Sequence, residues 1–210
     1  MPRRAAEHPV VRQRLLEAAR ELMLRDGFAA TGVADICAAA GVTKGSFFHY
    51  FESKDALSTA ALLSFGADLG LAFGAAPFHA EPDSLARVDG YIDFTIQVCR
   101  SSVLRHGCLV GAFAQERATS QAAVREACHA IFAGWATSFA EHLAAAKAAY
   151  APNAAFNPHG LALHLVAVVE GALILAKTSA DPDVVEAHLE HFRTYVRYLL
   201  GQQAPRQQEV

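Results

Sequence analysis

Gly41-Val42-Thr43-Lys44-Gly45-Ser46-Phe47-Phe48-His49-Tyr50-Phe51, with Glu52-Ser53-Lys54 behind it, is the stretch whose reading decides the fold. Directly before it, residues 31–40 read as a short helix with Val33, Ile36 and Cys37 on one face. Gly41 breaks that helix, and the Thr43 hydroxyl offers an N-cap oxygen for a second one. Two short helices joined by a tight Gly-containing turn form a helix-turn-helix, whose second helix enters the DNA major groove. Thr43 to Tyr50 is therefore the expected recognition helix. Upstream, residues 10–25 repeat Val11, Leu15, Ala18 and Leu22 at helical spacing, with Arg12, Arg14, Arg20 and Arg25 off that face. Gly27 ends this helix, and Phe28 is expected to close a small core against Ile36 and Phe47. Downstream, Ser53 is a candidate N-cap for a long helix through Ala75, stopped by Pro77. Lys54 then falls in a first turn, where the helix dipole disfavours a cation. A nearby phosphate would give that placement a reason.

The remaining chain repeats helical patterns. They cover Asp83 to Arg105, a short helix ending at Glu116, residues 121–149 (with Ile131, Phe132, Trp135, Phe139 and Leu143), Gly160 to Ser179 and Pro182 to Leu200. No strand-like alternation of any length occurs. The expected fold is all-α: an N-terminal three-helix helix-turn-helix head over residues 1–54, and a larger C-terminal helical ligand-binding and dimerisation domain over 55–210. Leu161 to Ala176 is apolar on nearly all sides and is most economically buried by a second subunit. Ala167, Gly171 and Ala172 would allow close helix approach. With Val185, Leu189, Phe192, Val196 and Leu199 of the last helix, this predicts a two-fold, four-helix homodimer interface.

Apolar residues make up 53% of the chain and charged ones 19%, enough for a sizeable core. The net charge of −3 hides an asymmetry: residues 1–54 carry eight Lys/Arg against six Asp/Glu, and 55–210 carry ten against fifteen. A basic head on an acidic body suits attraction to phosphate at one end. The first nine residues lack the apolar run of a signal peptide. The apolar run Leu161–Ala176, with His164 and Glu170 inside, falls short of the ~20 residues that span a bilayer. Cys37, Cys99, Cys108 and Cys128 have no CxxC spacing, so free thiols in the cytoplasm are expected. No cofactor or metal is expected, and His188 and His191 suit a solvated or interface role. Cys108 with His106 and His129 can be drawn as nucleophile and base, but no third group orients them. Such an enzyme also leaves the helix-turn-helix unexplained.

From Thr31 to Leu57, and above all in Gly45-Ser46-Phe47-Phe48-His49-Tyr50-Phe51, the chain resembles the DNA-binding head of the TetR family of transcriptional regulators. That resemblance implies a homodimer that binds a palindromic double-stranded DNA operator and releases it when a small effector enters the C-terminal domain. It implies that Thr43, Lys44, Gly45 and Ser46 open the recognition helix toward bases and phosphates. Phe48, His49 and Tyr50 would line the DNA, and Lys54 would hold a phosphate. Phe48 stands where such motifs commonly have Tyr, so it keeps an apolar contact but no hydroxyl donor. Gly107-Cys108-Leu109-Val110-Gly111, with Gln115-Glu116 and the segment Glu170 to Thr178, resembles the branch responding to electrophiles and small unsaturated acids. This resemblance makes Cys108 and Lys177 the candidate sensor residues, although Ala112 replaces the usual Asn. A thiolate reacts where a thiol does not, and a neighbouring Lys or a helix N-terminus favours it. A noncovalent ligand among the aromatics Phe65, Tyr91, Phe94, Phe113, Trp135 and Phe139 is the alternative.

Overall fold

The computed structural model describes residues 3–202; the outermost residues of both expected domains, 1–2 and 203–210, lie outside it. Among the described residues there are nine α-helices and no strand. They are α1 (Arg3–Asp26), α2 (Val33–Ala40), α3 (Lys44–Tyr50), α4 (Lys54–Gly74), α5 (Ser84–Arg100), α6 (Leu109–Arg117), α7 (Ala122–Tyr150), α8 (Pro158–Ser179) and α9 (Asp183–Leu199). A 3-10 turn over Pro77–Ala80 follows α4.

Capping chemistry sets several boundaries. The Ser53 hydroxyl accepts from Ala56 N at the start of α4, and Asp83 accepts from Ala86 N at the start of α5. Asn157 accepts from His159 N and Gly160 N, which places Pro158 in the first turn of α8 and starts that helix earlier than expected. At 22 residues α8 is longer than its apolar run, so it does reach bilayer-spanning size by length and composition, as does the stretch from Lys54 to Ala80. In the other direction, α5 stops at Arg100 rather than Arg105. Ser101 N–H and its hydroxyl both bond Val98 O, the side chain competing with the helix ladder, and Gly107 at φ 106° completes the turn that follows.

The packing divides the chain into two compact units that do not follow chain order. The first joins residues 1–69 to 108–131, so α6 belongs with the head. Its centre contains Leu15, Leu16, Met23, Ile36, Phe47, Leu57, Leu62 and Phe113, all fully buried. The second unit joins residues 70–107 to 132–210. There α9 packs on α5 and α8, and Ile92, Phe139, Leu143 and Leu189 are fully buried. This corrects one expectation about the last helix. Val185, Leu189, Phe192 and Val196 lie inside this unit and are not available to a partner. Ala172 is buried as well, whereas Leu163, Ile174, Leu175, Tyr195 and Tyr198 remain exposed on α8 and α9.

Candidate nucleic-acid interface

Gly41 adopts a left-handed conformation (φ 61°, ψ 43°), and its N–H bonds Ala38 O while Val42 N–H bonds Cys37 O. That turn satisfies the last carbonyls of α2 and requires the positive φ that Gly supplies without strain. Thr43 caps α3 as expected, its hydroxyl accepting from Ser46 N at 3.1 Å. Phe47 is fully buried and sits edge-on to Phe48, with centroids 5.1 Å apart. The opposite face of α3 is open: Thr43, Lys44, Gly45 and His49 are exposed, Ser46 and Tyr50 are half-buried, and Phe48 is 58% exposed. An exposed Phe with no apolar cover costs free energy in the isolated chain and suits a surface that another molecule covers. Arg14 donates to Gly41 O at 3.3 Å, and Arg12 lies over the Phe51 ring. Of the α1 arginines off the apolar face, Arg14 thus meets the reading turn and Arg12 the C-terminal end of α3.

Lys54 and Phe28 are placed differently from expectation. The Lys54 ammonium donates to Phe28 O and Thr31 O, both at 2.9 Å, and lies 4.0 Å from the Phe28 ring centroid. Two carbonyls and a π face thus offset the unfavourable helix-dipole position without any phosphate. Phe28 is half-buried, with its ring between Lys54 on α4 and Arg117 on α6 and edge-on to Phe113.

Two further α6 contacts hold this turn. The Glu116 carboxylate accepts from Phe28 N at 2.9 Å and Ala29 N at 3.0 Å. The Arg117 guanidinium stacks 3.5 Å from the Phe28 centroid and donates to Asp55, Ser58 and Gln121. Glu116 was visible in the sequence as part of a motif. Arg117 had no sequence signal, because a buried arginine looks like any other surface cation until its partners are in place.

Cys108 occupies the N-cap position of α6, but its side chain makes no capping hydrogen bond, and it is buried. All four cysteines are buried. Burial pushes the Cys99 thiol up to about 12, with Glu170 adding to it, and raises Cys37 against the opposing pull of Lys44. Lys177 is exposed on α8 and lines a cavity of about 530 Å³ in the second unit, while Cys108 belongs to the first. The six candidate pocket aromatics divide between the two units. Phe65 and Phe113 are buried in the first unit; in the second, Tyr91 and Phe139 are buried, Trp135 is half-buried, and Phe94 lines a cavity with Phe78, whose ring also meets Tyr91. His188 Nδ1 is bonded to Val184 O.

The family description "Bacterial regulatory proteins, tetR family" matches residues 15–61, and "Transcriptional regulator LmrA/YxaF-like, C-terminal domain" matches residues 84–191, over half of the chain. The chain belongs to the TetR family. It is thus a helical transcriptional regulator with a helix-turn-helix head, and not a thiol-dependent enzyme. This TetR-family chain is 29% identical over 179 residues to the HTH-type transcriptional repressor DhaR of Mycobacterium sp. strain GP1, covering 85% of this chain and 88% of that one. Its fold is similar to that of the regulatory protein TetR from Rhodobacter sphaeroides, with a TM-score of 0.78, 27% identity, and coverage of 87% and 97%. It is also similar to the reduced form of E. coli NemR, with a TM-score of 0.73, 26% identity, and coverage of 87% and 95%.

Proposed function

We propose that this TetR-family regulator is a cytoplasmic, homodimeric repressor that reads a palindromic operator and releases it when a small effector acts on its C-terminal part. The observation that carries this reading is the grip of α6 on the α1–α2 turn through Glu116 and Arg117. Any event that shifts α6 pulls on the turn leading into the reading helices. Operator half-sites lie about 34–36 Å apart, so a modest rotation of each head misplaces both. The repressor assignment is further supported by similarity to DhaR, itself named a repressor. In this reading Thr43, Lys44, Gly45, Ser46, Phe48, His49 and Tyr50 face the DNA, and residues 1–54 are the functional head. Lys54 acts as an internal staple of that head, with Arg12 and Arg14 better placed for the phosphate backbone.

Lys44 is the one exposed cation on α3. Lys44→Ala is expected to weaken cognate-operator binding by ~1–3 kcal/mol and to relax the preference at one base position. A binding selection on the purified variant that returns the wild-type sequence preference would refute the role.

The dimer forms along the α8 stripe of exposed Leu163, Ala167 and Ile174 and half-buried Gly171, together with the Tyr195–Tyr198 face of α9. For the effector, modification of Cys108 at the head of α6 is one route, supported by the position of its backbone and by similarity to NemR in its reduced form. Cys108→Ser repressor is then expected to stay on operator DNA under electrophile treatment that releases the wild type. Release of both proteins alike would remove the thiol from the mechanism. A noncovalent route has its own support in the burial of Cys108 and in the cavity beside Lys177.

A further inference from the structure

Lys44, Gly45 and Phe48 stand together on the open side of α3. Among the thirteen phenylalanines Phe48 alone is exposed, at 58%. Its ring is held from beneath by Phe47, which is fully buried and edge-on to it at 78°. Lys44 lies one turn earlier, at the i, i+4 spacing that puts two side chains on one helix face. Helical side chains lean toward the N-terminus, so the Phe48 ring leans over the turn that contains Lys44 and Gly45. Gly45 has no side chain to cover it. A Cβ added there would meet only the Thr43 hydroxyl, at 3.7 Å, so the space in front of the ring is open. A fixed, uncovered apolar edge thus stands beside a cation on the helix expected to enter the groove.

We infer that Phe48 is a specificity-determining residue that reads the 5-methyl group of an operator thymine, a contact that rests on the DNA-facing reading of α3 above. The thymine methyl is the apolar group that base pairs present in the major groove; the other edge atoms there are hydrogen-bond donors and acceptors, which a phenyl ring leaves unmet. Seating the ring on a methyl removes apolar surface of both from water. The shared face with Lys44 adds a constraint on position. Four residues advance a helix by about 6 Å, and stacked bases are about 3.4 Å apart. For a helix lying along the groove, the thymine therefore falls one or two base pairs from the position that Lys44 reads. Gly45 leaves room for the base edge to approach. The group recognised is the methyl and not the pyrimidine, so 5-methylcytosine offers Phe48 the same contact, whereas uracil and cytosine do not.

The test starts from an operator selected by the full-length protein out of random duplexes. Each thymine is then replaced by uracil, in both half-sites together. At one position, one or two base pairs from that relaxed by Lys44→Ala, the change should weaken wild-type binding roughly tenfold to twentyfold, about fourfold for each lost methyl. Phe48→Ala should bind the thymine and uracil duplexes alike, which a merely structural role for the ring would not produce. Phe48→Met keeps a narrower apolar tip and serves where Phe48→Ala binds too weakly to compare; it should retain only part of the discrimination. Cytosine and 5-methylcytosine at the same position give a second comparison, in which methylation should tighten wild-type binding and leave Phe48→Ala unmoved. Uracil tolerated at every thymine, or a methyl dependence undiminished in both variants, would overturn the contact while leaving α3 as the reading helix. Selection of no operator at all would sink both.

Discussion

Arg117→Ala is expected to lower the unfolding free energy by about 3 kcal/mol, at the low end of what removing one member of a buried ion pair costs. The low end applies because the two partners differ in exposure. Arg117 keeps only 3% of its side-chain surface, whereas Asp55 keeps 52% and is rehydrated when its partner leaves. Most of the loss comes from the guanidinium itself. It covers the Phe28 ring and bonds Ser58 and Gln121 as well as Asp55, so truncation leaves a hole, an uncovered ring and unpaired acceptors. Two controls separate shape from charge. Asp55→Asn tests charge alone: it keeps an acceptor but leaves the buried guanidinium without its anion, and should cost part of the same loss. Arg117→Lys should recover only part of the loss, since an ammonium cannot stack flat on Phe28 while reaching three acceptors. Urea unfolding reads all three variants, and an Arg117→Ala midpoint equal to wild type would refute the role. With its α6 anchor loosened, the same variant should also bind operator more weakly before any effector is added.

Ile174→Asp should convert the protein to a monomer in light scattering and reduce operator affinity roughly a hundredfold to ten-thousandfold. The second figure follows from geometry alone. Once two heads are linked, the second half-site is met at high effective concentration, and separation forfeits that gain. Ile174 is 48% exposed in the chain and lies on the α8 stripe with Leu163, near Leu175. A carboxylate there costs the isolated subunit little, but it places an unpaired charge in a helix–helix contact that should be dry. Tyr198, at 77% exposure, has a hydroxyl that tolerates a wetter rim, which makes Ile174 the sharper probe. A variant that remains dimeric with full operator affinity would place the interface elsewhere.

The helix-turn-helix was legible because its signals are local. Gly41 needs a positive φ, Thr43 caps the next helix through an oxygen three residues before Ser46, and Phe47 points inward by helical phase. The remaining elements follow their apolar period to within a few residues, except at the start of α1, which begins at Arg3 rather than residue 10, and at 101–107, where a serine side chain captures Val98 O and ends α5 early. The partners of Lys54 were not legible. Its first-turn position is anomalous for a cation, but the compensating carbonyls of Phe28 and Thr31 lie more than twenty residues back in the chain. Nor could the pattern of α9 show which apolar face meets α5 and α8 and which is left for another molecule. A hydrophobic period reports that a face is buried, not by what.

By itself, then, the sequence determined what neighbouring residues decide: nine helices' approximate extents, the reading turn, and the residues that α3 presents. Only the tertiary structure decided which distant groups share a charge or a ring. It joined α6 to the head through Glu116, Arg117 and Phe28, and it set Lys177 beside a cavity of the second unit. The physical reason is that caps and periodicity act over three or four residues, whereas ion pairs, cation–π contacts and cavities depend on distances in space that the chain reaches only once it is folded.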